Sequence, residues 1–289
     1  MKERTLKGKL KEGWAGFKAT SKRIVEVGSY RALESILPGF FEKRADIRLR
    51  GIETLPYETQ NIFAITHTSI ADAFVFGSRM REMDRRQIHY AVEYTGIWNS
   101  IQRPLHWALG SFAVEYIPEA ELEKLPEEER KRVIGQMGRV NVRGFKRGRD
   151  YLSRTKDDVG FFVDGPTKYL VNGWEIIPVE KRTILPGAVR LSLSSENNIP
   201  VVPVALRTTE EATKRFFEVG QNRSFRRVLK DLDLFVEKNG KIPYVINIGL
   251  PISPSNYRGY KTKQEGITAM NDELRGSLIN LYQDAGKYL

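Results

Sequence analysis

Ile62-Phe63-Ala64-Ile65 is a short unbroken apolar run bounded by Asn61 and Thr66, and His67 follows it at once. A run this short and apolar at every position suits an inner strand of a parallel sheet, buried on both faces. From Ser69 to Met83 the pattern changes to apolar and charged residues at helical spacing. The chain therefore passes from a buried strand into a helix within a few residues, with His67 at the junction. Asp72 stands five positions further on. Inside one helix that offset would turn the two side chains about 140° apart. His67 is thus expected outside the helix, with Ser69 as N-cap and Asp72 folding back from the first turn. Asp72 would then accept from one imidazole nitrogen and leave the other as a base. Taken alone, a histidine and an aspartate at this spacing recur by chance in unrelated proteins.

Around this junction, strand and helix patterns alternate. Ala45 to Gly51 alternates apolar and polar residues, as an outer or one-sided strand does. Ile88 to Val92, Ser111 to Tyr116, Val159 to Val163, Ile199 to Leu206 and Pro243 to Gly249 are further strand patterns. Pro203 cannot donate to a ladder, so its strand is expected at an edge or with a bulge. Helical patterns cover Tyr30 to Leu37, Trp98 to Leu109, Leu185 to Ser195 and Gln264 to Tyr288, the last a closing amphipathic helix. Glu119 to Arg132 reads as a solvated helix or excursion. Arg139, Arg143, Lys146, Arg147 and Arg149 form a separate basic cluster between Gly138 and Leu152, and Asn172-Gly173-Trp174 lies in a loop. The alternation specifies an α/β fold, a mostly parallel sheet flanked by helices. In such sheets ligands bind beyond the carboxyl ends of the strands, where both His67 and Asp164 fall.

Ahead of this domain, Leu6, Leu10, Trp14, Phe17, Ile24 and Val25 share one helical stripe bordered by Lys7, Lys11, Lys18 and Lys22. Residues 1–44 are thus an N-terminal basic amphipathic helical segment and residues 45–289 the α/β domain. Such a helix suits an anionic membrane surface, and it equally suits packing on the domain with its lysines solvated.

The 47 Lys and Arg against 36 Asp and Glu give a net charge of +11, which points to an anionic partner: nucleic acid, a membrane surface, or a phosphorylated or coenzyme-linked substrate. The chain has no cysteine, which excludes disulfides and thiolate metal sites. With only His67, His89 and His106 and no carboxylate cluster, no metal is expected. His89 and His106 sit in apolar stretches and read as packing residues. No apolar run is long enough to span a bilayer, and Met1-Lys2-Glu3-Arg4 lacks the apolar core of a signal peptide. A cytoplasmic protein, peripheral on the cytosolic face of a membrane, is expected.

The order of segments from about Ile47 to the last helix resembles the glycerolipid acyltransferase family, which acylates lysophosphatidate, glycerol phosphate and related lysolipids. Gly51, Glu53, Leu55 and Pro56 look like its lead-in. His67-Thr68-Ser69-Ile70-Ala71-Asp72 is similar to its H-x-S-x-x-D box, and Gly110 to Tyr116, with Phe112, occupies the place of the second block. Phe162-Val163-Asp164-Gly165-Pro166-Thr167-Lys168 looks like the third, and Gly187-Ala188 with Val202-Pro203-Val204 fits the fourth. Gly249-Leu250-Pro251-Ile252 matches the usual ending.

The resemblance implies transfer of a fatty acyl group from an acyl-CoA or acyl carrier protein thioester to a hydroxyl of a lysolipid, in phospholipid biosynthesis and without a cofactor. It implies His67 and Asp72 as catalytic residues, and Ser69, Phe112, Asp164, Gly165, Thr167 and Lys168 around the substrates. Ser69 reads as a cap rather than a nucleophile, and backbone amides near Gly165 as oxyanion donors. Two positions depart from the family pattern: Tyr116 and Thr167 stand where arginines associated with the acceptor phosphate are expected, and Lys168 offers a point charge in their place. Two other readings stand beside this one. A lipid-binding relative without activity would lack those arginines, and a nucleic-acid-binding protein would use Arg215-Phe216-Phe217 and Phe225-Arg226-Arg227. No nucleic-acid module is recognisable, so no nucleic-acid partner is expected.

Overall fold

The computed structural model describes residues 42–56, 58–68, 72–83, 85–93, 110–165, 171–172, 175–214 and 233–289. The amphipathic stripe from Leu6 to Val25, the helices expected at Tyr30 to Leu37 and Trp98 to Leu109, and Ser69, His106, Thr167 and Lys168 lie outside the described residues.

The strands are β1 (Ala45–Arg50), β2 (Ile62–Ile65), β3 (Ile88–Glu93), β4 (Phe112–Val114), β5 (Asp158–Phe162), β6 (Val171–Asn172), β7 (Glu175–Ile176), β8 (Val201–Thr208) and β9 (Ile242–Ile248). β6 and β7 pair as a small antiparallel hairpin within the stretch that reads as a loop in the sequence. The others form one seven-stranded sheet in the order β1-β9-β8-β2-β5-β3-β4. β8, β2, β5, β3 and β4 are parallel neighbours, whereas β9 runs antiparallel to β8 and parallel to β1. Apolar pattern reports burial and not direction, so this reversed pair at one side of the sheet has no counterpart in the sequence reading.

β2 lies between β5 and β8, and each of its residues is buried. Alternate residues feed opposite faces, as the two-residue period of a strand requires. Ile62 and Ala64 join Val159, Phe161, Leu191, Met270, Leu274 and Leu278 on one side. Phe63 and Ile65 join Val75, Phe76, Met80, Val204 and Ile246 on the other. The helices α1 (Asp72–Glu82), α3 (Glu127–Asp150), α4 (Gly187–Ser194) and α5 (Lys263–Ala285) cover these faces, and the short α2 (Glu119–Leu122) precedes α3. Phe76 of α1 meets Phe63 edge to face at 5.1 Å. α5 begins with a reciprocal capping box between Thr262 and Glu265, and turns Ile267, Met270, Leu274 and Leu278 inward at helical spacing.

Two local features bear on the sequence reading. The stretch from Glu119 to Arg132 is divided between α2 and α3, and its later part joins the basic cluster in one helix, α3, of 24 residues, with Glu127, Glu128 and Glu129 in its first turn and Arg147 and Arg149 in its last. That charge order opposes the helix dipole at both ends. A side chain at Gly144 would collide with the Ala113 carbonyl, so glycine is what lets α3 close on β4. Pro203 sits in an interior strand and meets the second of its two expectations. β8 pairs Val204 with Ile248, then Val201 with Ile252, so residues 249–251 stand opposite residues 202–203. This bulge faces the missing N–H, and the Pro203 carbonyl still accepts from Gly249 at 2.9 Å.

At the opposite end of β5 from the carboxyl edge, the Asp158 side chain is completely buried; it accepts from the Asn61 amide at 2.7 Å and lies 3.9 Å from Arg85. Burial outweighs both partners and pushes this carboxyl from an ordinary 3.8 up to about 7. Because the unfolded chain releases this proton earlier, stability is full below pH 4 and declines as pH rises towards 7, by on the order of 4 kcal/mol. Asp158→Asn removes the titration. In urea unfolding across this window, the variant should gain on the wild type up to pH 7 and level off above it.

Candidate active site

The register of the sheet builds the site. β2 and β5 pair Ile62 with Val159 and Ile65 with Phe162, a constant offset that brings His67 level with Asp164 just past the strand ends. Both residues therefore stand together at the carboxyl edge.

His67 leaves β2 before α1 begins, and Asp72 is the first residue of α1. The two side chains are thus carried by different parts of the chain, His67 past the end of β2 and Asp72 on α1. His67 Nδ1 lies 3.0 Å from Asp72 Oδ2, the contact expected from the sequence. The Asp72 side chain is fully buried and its surroundings supply further donors. Thr68 N–H donates to Oδ2 at 2.6 Å, Thr68 Oγ1 donates to Oδ1 at 3.0 Å, and the Tyr244 hydroxyl donates to Oδ1. A carboxylate so surrounded by donors presents a fixed acceptor to Nδ1, which sets the imidazole tautomer with its proton on Nδ1. The ring stacks on Phe162 with centroids 3.8 Å apart and planes 8° from parallel. The side chain keeps 15% exposure, and Nε2 has no hydrogen-bond partner among the described residues. An oriented imidazole with one open, basic nitrogen is what general-base chemistry requires.

Asp164 faces inward, towards the backbone beneath the imidazole. Its two oxygens lie 3.0 and 2.9 Å from the His67 amide nitrogen, and Arg182 Nη1 donates to Oδ2 at 2.7 Å. The same Arg182 nitrogen donates to the His67 carbonyl at 2.9 Å, and Arg182 Nε donates to the Ile177 carbonyl at 2.8 Å. Complete burial pushes the Asp164 carboxyl upward, against the opposing pull of Arg182 and His67. Gly165 follows at φ 85°, a left-handed conformation open to glycine, and a side chain there would meet Tyr116 and Leu185 in ordinary contact. Tyr116, at one of the two departures from the pattern the sequence resembles, thus borders the backbone beside Asp164.

Among the other residues singled out from sequence, Phe112 packs in the core against Phe161, with centroids 5.7 Å apart. His89 is a core residue: its ring stacks on Tyr151 at 3.5 Å and its nitrogens face the Gly110 carbonyl and Asp157. Ser69, Thr167 and Lys168 are outside the described residues. Sequence reasoning missed Thr68, Tyr244, Phe162 and Arg182. Of these, Tyr244 carried a signal, since a tyrosine on the buried face of a strand needs a partner for its hydroxyl.

A scan against protein-family models and a search of curated proteins return no match. Among solved structures, the chain is similar to the 1-acyl-sn-glycerophosphate (LPA) acyltransferase PlsC from Thermotoga maritima. The identity is 13% and the TM-score 0.43, covering 93% of this chain and 89% of that one. Among the described residues no helix is long and apolar enough to cross a membrane.

Proposed function

We propose that the protein is an O-acyltransferase that moves a fatty acyl group from a thioester to a hydroxyl of a lysolipid or related glycerolipid, with His67 as general base. The observation that carries this reading is the His67–Asp72 pair, 3.0 Å apart at the carboxyl edge of the sheet, with Nε2 unpartnered among the described residues. The order of the sequence blocks after it supports the same assignment.

In the reaction, Nε2 takes the proton of the acceptor hydroxyl as its oxygen attacks the thioester carbonyl carbon. Asp72 stabilises the imidazolium that forms. The tetrahedral oxyanion collapses, the carbon–sulfur bond breaks, and the departing thiolate takes the proton back from Nε2. The products are an ester and a free thiol, and His67 returns to its starting state. The substrate hydroxyl fills the place that an enzyme serine takes in a hydrolase triad. Backbone amides near Gly165 are the proposed oxyanion donors. Ser69, Thr167 and Lys168 complete the acceptor side of the proposed pocket, and the N-terminal basic segment its attachment to an anionic membrane surface.

Tyr116 and Thr167 make a phosphate on the acceptor dispensable in this reading, with Lys168 as the remaining point charge. The test is incubation of the full chain with radiolabelled acyl-CoA or acyl carrier protein thioesters and a panel of lysophosphatidate, lysophosphatidylcholine and monoacylglycerol, with product identification. Ester formation that depends on His67 is expected. No product from any acceptor, or the same yield from His67→Ala, overturns the reading.

A further inference from the structure

We infer that Arg182 is a positioning residue for His67, acting with Asp164 as a clamp on both polar groups of the His67 backbone. The inference rests on His67 being the base and extends that reading to a residue outside the sequence blocks.

Two kinds of restraint act on a base carried on a loop. The Asp72 bond and the Phe162 ring fix the imidazole's rotation and tilt, but neither fixes the backbone from which the ring hangs. At His67 the backbone is held by a single ion pair. Asp164 accepts from its N–H, and Arg182 donates to its carbonyl while bonding Asp164 itself. The pair is buried, with side-chain exposures of 2% and 0%. Arg182 is in turn tied to the Ile177 carbonyl, and its turn is fastened to α5 by Arg275 donating to the Glu180 carbonyl at 2.8 Å and Gln283 to the Glu180 side chain at 3.1 Å. The base is thereby referenced to β5, to the segment before α4 and to the closing helix.

A buried ion pair is a poor device for stability alone, since apolar side chains of similar size often serve as well. What it supplies that they do not is a fixed acceptor and a fixed donor a few ångströms apart, matched to one peptide N–H and one peptide C=O. Arginine suits this role because its planar fork reaches the Ile177 carbonyl, the His67 carbonyl and Asp164 at once, which an ammonium does not. A displacement of about 1 Å at a reacting group typically costs on the order of a hundredfold in rate.

The test uses Arg182→Lys and the charge-free double variant Asp164→Asn/Arg182→Met in the full chain. Three quantities are read: thermal midpoint, kcat and KM for the best acceptor, and the imidazole NMR signals of His67, assigned by their loss in His67→Ala. Either folded variant should lose about ten- to a hundredfold in kcat, with KM changed less than about threefold, and should shift or broaden the His67 Nδ1 proton signal. A lower midpoint with kcat and the His67 signals as in the wild type overturns the clamp, leaving Arg182 merely structural. If the wild type itself forms no ester, the acyltransferase reading fails. The clamp is then judged on the His67 signals alone, and unchanged signals in both variants overturn it.

Discussion

His67→Ala is expected to lower acyl transfer by roughly a thousandfold, the middle of the range for removing a general base. The loss should appear in kcat for every acceptor, because the proton on the attacking hydroxyl is common to all of them. Stability should change little. The ring is partly exposed, its main apolar contact is Phe162, and Asp72 keeps the Thr68 and Tyr244 donors when the imidazole is gone. Kinetics together with thermal unfolding separate the two effects: a large loss of activity with a nearly unchanged midpoint is the expected pair of results. A comparable fall in both would make His67 a packing residue.

Asp72→Asn should be as damaging to activity and more damaging to the fold. The carboxylate meets donors on both oxygens, and an asparagine offers one acceptor oxygen and one NH2. If the NH2 takes the Oδ1 place, the Thr68 and Tyr244 hydroxyls must turn to accept from it, and the neutral amide no longer balances the imidazolium. If it takes the Oδ2 place, it meets the Thr68 N–H, donor against donor in a buried site, at a cost of about 1–3 kcal/mol, and the imidazole proton moves to Nε2 so that the base is blocked. Either orientation predicts a loss of about 10²–10⁴-fold in kcat. The measurement is the same kinetic series with a urea titration alongside. Wild-type kcat in a folded Asp72→Asn protein would remove Asp72 from the mechanism.

The His67–Asp72 contact was legible in the sequence because everything that makes it is local: a strand ends, a helix begins, and an offset unsuited to one helix must be bridged by the junction. The strands and their burial were legible for a similar reason, since periodicity reports which faces meet the core. The partners of the pair were not. Tyr244 reaches Asp72 across 172 positions and Arg182 reaches His67 across 115, and nothing local encodes such a meeting. Asp164 was legible as a residue at the right edge, but its inward direction depends on the register between β2 and β5. Strand direction is likewise invisible in a buried apolar pattern, so the reversal of β9 emerged only in the fold. The continuity of α3 is hidden in the sequence because Gly135, Gly138 and a change in charge sign interrupt its period. Pro203 was read correctly as an obstacle to the ladder, and the bulge opposite it is how an interior strand accommodates that.

The place of Tyr244 bears on the protein's synthesis. β9 lies between β1, made early, and β8, made late, and it carries the hydroxyl that anchors Asp72. A ribosome adding about 5–20 residues per second needs roughly 10–30 s to travel from Asp72 to Tyr244. Through that interval the nascent chain holds the histidine and the aspartate as neighbours but not the tyrosine that fixes them. The set of donors on Asp72 is therefore complete only near the end of translation, and a chain that terminates before β9 is expected to emerge with the Thr68 donors but without the tyrosine.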